Sequence, residues 1–381
     1  MILYLVYLCL QETQTTDLLH IHQLKLTQFK NYPSAVFEFD EGLNCIVGQN
    51  GVGKTNLLDA IHYLAMCKSH FSLPDKSIIQ HDQDFLRLEG TFFAEEQKEI
   101  IVAKLPRGKK KVMERNGVPY KKLIEHIGMI PVVMIVPDDT RLATEGSELR
   151  RRFMDTALAQ MDMPYLKALA NYQLLLKQRN AALKAMARQQ RHDSVLLETY
   201  TEQMHAPAML IHERRKVFIE DWLPVFQKYY SHISGATEKV GCQYQSQLAE
   251  GDFMEMTSNA QEKDRILART TIGVHKDDLN FEIEGYELKK FASQGQLKSY
   301  VLALKLALHD LLKVRKGQNP IFLLDDIFDK LDKNRVRQLL ELLIEKDFGQ
   351  VFISDTHEGR VVDLVKDFAQ SWKEIVIKKD T

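Results

Sequence analysis

The sequence has few of the features that mark several large classes of protein. It contains only four cysteines in 381 residues, and they are scattered, with no CxxC or Cys/His ligand spacing. We therefore expect neither a disulfide framework nor a structural zinc site, and this cysteine usage fits a reducing compartment. The formal net charge is −1, so the chain as a whole does not demand a polyanionic partner, and any basic surface must be local.

Long hydrophobic runs are also missing. The apolar run MILYLVYLCL at the amino terminus covers ten residues, whereas a transmembrane helix needs about 20. The run lacks the positive flank and the small-residue cleavage site of a signal peptide. We therefore predict no membrane association and a cytoplasmic location, and we treat residues 1–21 as an extension of uncertain status.

The order of strand and helix patterns predicts an α/β domain that is interrupted once. In residues 22–146, short alternating or apolar runs predict strands, with one helix after a glycine-rich loop. Residues 147–260 are mostly helical, and in residues 261–381 strands and helices alternate again. This pattern predicts one α/β head assembled from both chain ends, with an inserted helical arm lobe.

The helical segment contains two stretches with apolar residues every seven positions. Two antiparallel helices packed along a seam would produce this pattern, either as a short coiled-coil arm or as ordinary bundle helices. The positions are Leu169, Leu176 and Leu183 in the first stretch, and Leu197, Met204, Ile211, Phe218 and Val225 in the second, with Thr201, Ala208, Arg215 and Trp222 between them.

The segment GQNGVGKT matches the phosphate-loop pattern of glycine, four residues, glycine, lysine, then serine or threonine. Its glycines allow successive backbone N–H groups to point at phosphate oxygens, and the following helix adds the positive end of its dipole. Lys54 can reach the terminal phosphates, and the Thr55 hydroxyl can ligate Mg²⁺. We predict that the nucleotide is bound by Gly48, Gln49, Asn50, Gly51, Val52, Gly53, Lys54, Thr55 and Asn56.

The segment IFLLDD predicts a buried strand that ends in two acidic residues. Asp325 at the carboxyl edge can hold Mg²⁺ directly or through water, and Asp326 can orient or deprotonate an attacking water. About 270 residues separate Thr55 from Asp325. This spacing disfavours small kinases and GTPases, and favours an ATPase whose head is built from both ends of the chain.

The segment SQGQ stands at the start of a predicted long helix. A serine and a glycine at a helix amino terminus form an anion site, although a plain serine cap gives the same pattern. The position just before the carboxylate strand favours nucleotide contact by Ser293, Gly295 and Gln296.

Seven segments together resemble the RecF family of ABC-type ATPases, which is related to Rad50 and SMC heads, from about residue 22 to the carboxyl end. They are KLTQFKNY, GQNGVGKTNLLDAI, RRRFMD, LLKQRNAAL, GVHKDDL, SQGQLK and LLDDIFDKLD. The resemblance implies an ABC/SMC-type head with ATP and Mg²⁺ as cofactors. It also implies a homodimer that forms on ATP, in which Ser293 and Gly295 contact the γ-phosphate held by the opposite subunit.

The same resemblance implies a biological role. Such proteins bind double-stranded and gapped DNA, act with RecR and RecO to load recombinase, and use slow, DNA-stimulated ATP hydrolysis as a dimerisation switch. Hydrolysis would then depend on Lys54 and Asp326. The implied processes are DNA replication, DNA repair and the SOS response.

Some positions depart from the family pattern. The turn Asp329–Asp332 would more usually begin with serine, and Val274 replaces the proline expected before His275. Asp355 occupies the place of the transporter switch histidine, with His357 two residues later. Another Rad50/SMC-like ATPase, a transporter nucleotide-binding subunit, a small-molecule kinase and an ATP-binding clamp with little turnover are the alternative readings.

Three basic runs are candidates for contacts with DNA phosphates. They are Arg107–Lys111, Arg150–Arg152 and Arg214–Lys216. Solvated faces produce the same runs, so the sequence leaves both interpretations open for each of them.

Overall fold

The structure is a computed structural model that describes residues 19–71, 73–94, 97–190, 193–235, 238–327, 333–346, 348–356 and 371–378. Most of the predicted extension 1–21 therefore lies outside the described residues, as do the turn Asp329–Asp332 and His357. In the part of the chain that is described, no helix is long and apolar enough to cross a bilayer.

One sheet is antiparallel, and among the described residues it has six strands in the order β2-β1-β4-β5-β6-β7. Burial alternates along β1 at Leu24 and Leu26, as the sequence pattern predicts, and a register shift between Ile21 and Gln23 places Ile21 in the core as well. The strands are β1 (His20–Phe29), β2 (Tyr32–Glu38), β4 (Phe85–Ala94), β5 (Gln97–Pro106), β6 (Val112–Arg115) and β7 (Val118–Pro119).

A second sheet has the strand order β14-β3-β13-β12-β8 in the described chain. Its strands are β3 (Leu43–Val47), β8 (Val132–Ile135), β12 (Ile321–Leu324), β13 (Val351–Asp355) and β14 (Trp372–Val376). β3 pairs in parallel with β13 and β14, and β12 pairs in parallel with β13. β3, β12 and β13 are buried along their whole length, which explains why their apolar residues do not alternate with exposed polar ones. The predicted α/β head built from both chain ends is confirmed.

The remaining regular structure is helical apart from a small sheet with the order β11-β10-β9. That sheet comprises β9 (Val240–Gln245), β10 (Asp278–Ile283) and β11 (Tyr286–Glu287). The helices are α1 (Lys54–Met66), α2 (Arg141–Thr144), α3 (Ser147–Met161), α4 (Met163–Gln189), α5 (Ser194–Ser234), α6 (Phe253–Asn259), α7 (Gln261–Leu267), α8 (Leu288–Phe291), α9 (Gln294–Lys316) and α10 (Lys333–Glu345).

Helices α4 and α5 pack against each other, as the seven-residue spacing predicts. On α5 the predicted apolar positions from Leu197 to Phe218 are buried. On α4 the pattern differs, because Leu169 and Leu176 are only half-buried. The buried residues of α4 are Tyr165, Tyr172, Leu175, Arg179 and Leu183, so this helix turns a partly polar stripe inward.

The described contacts divide the chain into two compact units. One comprises residues 1–134, 312–329 and 339–381, and the other comprises 135–311 and 330–338. The first unit contains the parallel and antiparallel sheets, and the second contains α3 to α5 and the start of α9. These boundaries are not the ones predicted at residues 146 and 260, and the division into head and arm segments stays a prediction.

Candidate nucleotide site

The phosphate loop connects the end of β3 to the start of α1 in the first unit. Gly51 and Gly53 have left-handed backbone, with φ of 82° and 118°, which glycine adopts at no steric cost. At Gly53 a Cβ atom would lie 2.5 Å from Asn31 Nδ2 and 2.7 Å from Tyr32 Oη. Both the backbone and the close contact therefore require glycine at this position.

Lys54 is the first residue of α1 and is buried, with a relative exposure of 6%. Its ammonium group donates to the carbonyl oxygens of Gly48, at 2.7 Å, and Gln49, at 3.1 Å. The lysine thus places a positive charge within the curve of the loop. Phosphate oxygens bound there would meet this charge together with the amino-terminal N–H groups of α1.

Thr55 and Asp325 lie together, although 270 residues separate them in the chain. The Thr55 hydroxyl lies 3.0 Å from Asp325 Oδ1 and 2.8 Å from Oδ2. Ser354, from the neighbouring strand β13, donates its hydroxyl to Asp325 Oδ1 at 2.7 Å. Burial raises the pKa of Asp325, and the hydrogen bonds from Ser354 and Thr55 oppose this rise.

The oxygen donors at this position suit Mg²⁺. A hard cation of this size prefers carboxylate, hydroxyl, phosphate and water oxygens, and Thr55 Oγ1 lies within 3.0 Å of both Asp325 oxygens. Thr55 and Asp325 are therefore the residues that could hold the ion. A bound magnesium would neutralise charge on the transferred phosphoryl group.

Asp326 follows Asp325 directly and has a different environment. It is half-buried, and its φ of 47° is left-handed, which is uncommon outside glycine and clusters at functional sites. Its backbone N–H donates to Ser354 Oγ at 2.9 Å. Ser354 therefore links the two acidic residues, a role that no local sequence pattern indicates.

Asn31 and Tyr32, which follow β1, support the phosphate loop. The sequence does not identify either of them as a site residue. Asn31 Nδ2 donates to the carbonyl of Val52 at 3.0 Å, and Tyr32 Oη donates to the carbonyl of Gly53 at 3.0 Å. Asn56, predicted as a nucleotide contact, donates to Asn31 Oδ1 at 2.6 Å. The segment KLTQFKNY contributed to the family resemblance, but only the fold brings its last two residues against the loop.

Lys30, which precedes Asn31, anchors helix α1 through an ion pair. Lys30 Nζ lies 2.6 Å from Asp59 Oδ2, and Asp59 is fully buried in α1. The Ser69 hydroxyl and the His70 backbone N–H also donate to Asp59, each at 2.7 Å. Because this buried carboxylate is paired and hydrogen-bonded, it fixes α1 against the turn that follows β1.

The segment SQGQ lies in the second unit, at the start of α9. Ser293 Oγ accepts from the Gln296 N–H at 3.2 Å, and Gln296 Oε1 accepts from the Ser293 N–H at 2.7 Å. This reciprocal arrangement is a capping box. Ser293 is exposed at the tip of the helix, while Gly295 lies within its first turn.

In two of the three basic runs, some of the arginines make internal contacts. Arg150 is buried and pairs with Asp278 at 2.6 Å, and Arg151 donates to the carbonyl of Asp277 at 2.7 Å. Arg215 is 2% exposed. Arg150 and Arg215 are thus internal and do not form a surface for DNA. For the exposed Arg152, Arg214 and Lys216 the DNA contact stays a prediction.

The run Arg107–Lys111 forms the turn between β5 and β6. Arg107 donates to the carbonyls of Gln80 and Gln83, and Lys111 pairs with Asp75 at 3.0 Å. Its two ends are thus held by the fold, while the lysines between them, at 109 and 110, are exposed.

Arg215 of α5 is the centre of a buried polar cluster in the second unit. It donates to Asp155 Oδ1 at 2.8 Å, to Asp277 Oδ2 at 2.6 Å and to Tyr165 Oη at 3.2 Å. Tyr244 Oη also donates to Asp277 Oδ2, at 2.5 Å. The segments RRRFMD and GVHKDDL of the family resemblance therefore meet around one arginine.

A second part of this buried region involves the segment LLKQRNAAL. Arg179 donates to Asp264 Oδ2 at 2.7 Å and to Thr270 Oγ1 at 2.8 Å. Tyr172 Oη lies 2.7 Å from His275 Nδ1. Burial lowers the pKa of His275 to about 4, so the imidazole is neutral near pH 7. These pairings explain why α4 turns tyrosine and arginine inward.

Comparisons with known proteins agree with this geometry. A parallel sheet that carries a phosphate loop from one chain end and a carboxylate strand from the other defines the SMC- and ABC-type ATPase head, and a family model described as "RecF/RecN/SMC N terminal domain" matches residues 20–373. The chain is 44% identical over 355 residues to the DNA replication and repair protein RecF of Flavobacterium johnsoniae, covering 93% of this chain and 99% of that protein. The chain belongs to the RecF family.

Other similar proteins support the same assignment. The DNA replication and repair protein RecF of Porphyromonas gingivalis strain ATCC 33277 is 40% identical over 355 residues, covering 93% of this chain and 96% of that protein. A structure of "the recombination mediator protein RecF-ATPrS in RecFOR pathway" matches with a TM-score of 0.85 at 26% identity, covering 95% of this chain and 98% of that one.

An Smc head domain derived from Pyrococcus furiosus shares the fold, with a TM-score of 0.55 at 16% identity, covering 95% of this chain and 94% of that one. Because the chain belongs to the RecF family, the alternative interpretations as a transporter nucleotide-binding subunit or a small-molecule kinase are wrong.

Proposed function

We propose that this protein binds ATP with Mg²⁺ at the phosphate loop and uses slow ATP hydrolysis to control its dimerisation on DNA. The observation that carries the proposal is the contact of the Thr55 hydroxyl with both oxygens of Asp325. Two elements from opposite ends of the chain meet there, at the carboxyl edge of a parallel sheet, where such sheets bind ligands.

Each residue of the site has a defined part in this function. Backbone N–H groups of the loop and Lys54 hold the terminal phosphates, whose oxygens replace the carbonyls that the ammonium group now contacts. Thr55 and Asp325 provide the oxygen ligands for the ion. Asp326, beside them, orients the attacking water and accepts its proton.

The ATP complex forms a dimer in which each triphosphate is shared by two copies of the chain. Ser293, Gly295 and Gln296 of one copy face the γ-phosphate held by the phosphate loop of the other. The exposed Ser293 at a capped helix start supports this role, because its hydroxyl and the positive end of the helix dipole suit an anion. The similar RecF structures named for ATP and ATPrS support the choice of nucleotide.

The partners in this proposal follow from family membership. The similar relatives are named for DNA replication and repair, and one similar structure is named as a recombination mediator in the RecFOR pathway. We infer that the dimer binds duplex DNA beside single-stranded gaps and acts with RecR and RecO. Hydrolysis then releases the dimer from the DNA.

Sedimentation velocity with and without ATP, Mg²⁺ and gapped duplex DNA tests this proposal. We expect a monomer without nucleotide, a dimer with ATP, and DNA co-sedimenting with the dimer. Lys54→Met removes the charge on the phosphates and should leave a monomer under all of these conditions. A wild-type protein that stays monomeric with saturating ATP, or a Lys54→Met protein that dimerises normally, contradicts the proposal.

A further inference from the structure

The start of α9 is held by more than its own capping box. Gln296 uses its side-chain oxygen to accept from the Ser293 N–H. Its side-chain nitrogen donates to Glu238 Oε1 at 2.6 Å. Glu238 thus holds the side chain of Gln296, and Gln296 holds Ser293. The hydroxyl oxygen of Ser293 accepts a hydrogen bond, so its hydroxyl proton is still a donor.

The second oxygen of the same carboxylate is bonded to the long helix α5. Tyr230 lies in the last turns of α5, is fully buried, and donates its hydroxyl to Glu238 Oε2 at 2.5 Å. One carboxylate therefore joins the carboxyl end of α5 to the amino end of α9. Hydrogen bonds to an ionised acceptor are stronger than neutral ones, so this link is short and directional.

Aromatic packing reinforces the junction. The ring of Tyr300, one turn into α9 from Gln296, lies 5.9 Å from the ring of Tyr230 and 4.8 Å from that of Phe226. Tyr300 also donates its hydroxyl to the carbonyl of Gly241 at 2.6 Å. The end of α5, the start of β9 and the first turns of α9 therefore pack as one connected group.

We propose that Glu238 is a positioning residue that sets Ser293 for the triphosphate on a second copy of this chain and ties that position to the end of α5. The inference rests on the proposed function, because it presumes that Ser293 contacts nucleotide bound by another copy. Gln296 then acts by holding Ser293. A change in α5, the long helix of the inserted segment, reaches the nucleotide through this carboxylate.

Substitutions at this position separate positioning from folding. Glu238→Ala removes both hydrogen bonds, and we expect dimerisation with ATP and Mg²⁺ to weaken about tenfold or more, the usual loss for a bond to a charged group. In Glu238→Gln the amide oxygen can accept from Gln296 and the amide nitrogen can donate to Tyr230. This variant should therefore dimerise within about threefold of wild type, since only the charge is lost. Glu250→Ala, which removes an exposed carboxylate from the same unit, is the matched control.

Two measurements are needed on each variant. Sedimentation gives the dimerisation constant with ATP, and binding of a fluorescent ATP analogue at low protein concentration gives the affinity of the monomer. For Glu238→Ala we expect the first to change and the second to stay at the wild-type value, because the phosphate loop belongs to the other unit.

Three results would overturn the inference. Glu238→Ala could dimerise like wild type, Glu238→Gln could fail as badly as Glu238→Ala, or the monomer could lose nucleotide affinity together with thermal stability, which indicates a merely structural role. A failure of the proposed function is distinguishable, because the wild-type protein itself would then not dimerise with ATP. In that case the inference falls with it.

Discussion

Adjacent residues of the nucleotide site are held in different ways. Asp325 is buried and accepts hydrogen bonds from Thr55 of α1 and Ser354 of β13. One helix and one strand of the first unit therefore fix its position. Asp326 is half-buried in left-handed backbone. The fixed carboxylate of Asp325 is suited to bind a metal ion. The carboxylate of Asp326 is only half-buried, so it is suited to accept a proton from water.

Substituting Asp326 separates an ATPase from an ATP-binding clamp. Asp326→Asn keeps the size of the side chain but removes its ability to accept a proton. We expect ATP binding and dimerisation to persist while single-turnover phosphate release slows at least about 100-fold. Unchanged phosphate release would show that Asp326 is not the base, and would favour the clamp.

Removing the Tyr32 hydroxyl tests whether this residue supports the phosphate loop. Tyr32→Phe removes the hydrogen bond to the Gly53 carbonyl and retains the buried ring. Loss of about 1 kcal/mol should weaken ATP binding by roughly fivefold in titration calorimetry. Tyr286→Phe, which removes an exposed hydroxyl, is the control. Equal affinities for the two variants would contradict the role of Tyr32.

Within helix α5, neighbouring arginines have opposite surroundings. Arg215 is buried between Asp155 and Asp277, whereas Arg214 is about half exposed and pairs with Asp162. Arg215→Ala leaves buried carboxylates uncompensated and should lower the free energy of unfolding by about 3–5 kcal/mol. Arg214→Ala should lower it by less than about 1 kcal/mol. Urea unfolding measures both, and similar losses for the two variants would contradict the assignment of Arg215 to a buried network.

His275 gives the packed helices a pH dependence. Its pKa is lowered from 6.5 to about 4 by burial, so below pH 6.5 the unfolded chain binds a proton that the folded protein does not. The free energy of unfolding should therefore fall between pH 6.5 and about 4, by up to about 3 kcal/mol from this group.

His275→Gln should flatten this decline in urea unfolding, leaving the part due to His126 and His212, whose pKa values burial also lowers. His81→Gln, at an exposed position, is the control. An unchanged slope in His275→Gln would contradict a buried neutral imidazole.

The sequence predicts the elements better than it predicts their pairing. Alternation in β1 and the apolar run of β3 identify the strands, because burial on one or both faces leaves a local pattern. On α4 the sequence predicts a leucine stripe, of which Leu183 is buried, but Tyr172 and Arg179 are buried beside it. Their partners, His275 and Asp264, are distant in the sequence, so no local period reports them.

At the scale of the whole molecule, the phosphate loop and the carboxylate strand could be predicted because each has a strong local pattern. Their contact could be predicted only by analogy, since 270 residues lie between them. The contributions of Asn31, Tyr32 and Ser354 could not be predicted, because they arise where separate strands and loops meet. The internal contacts of Arg150 and Arg215, which lie in basic runs of the sequence, could not be predicted for the same reason.

The central claim for the whole molecule is that ATP is shared between two copies, and mixed dimers test it most directly. Lys54→Met disables the phosphate loop, and Ser293→Arg blocks the helix start, so each variant alone should hydrolyse almost no ATP. An equimolar mixture contains dimers with one intact site, formed by the phosphate loop of one variant and Ser293 of the other. We expect the mixture to regain up to about half of wild-type hydrolysis, because Lys54→Met does not dimerise with itself and each mixed dimer has one of its two sites intact. A mixture as inactive as either variant, beside an active wild type, would contradict a shared site.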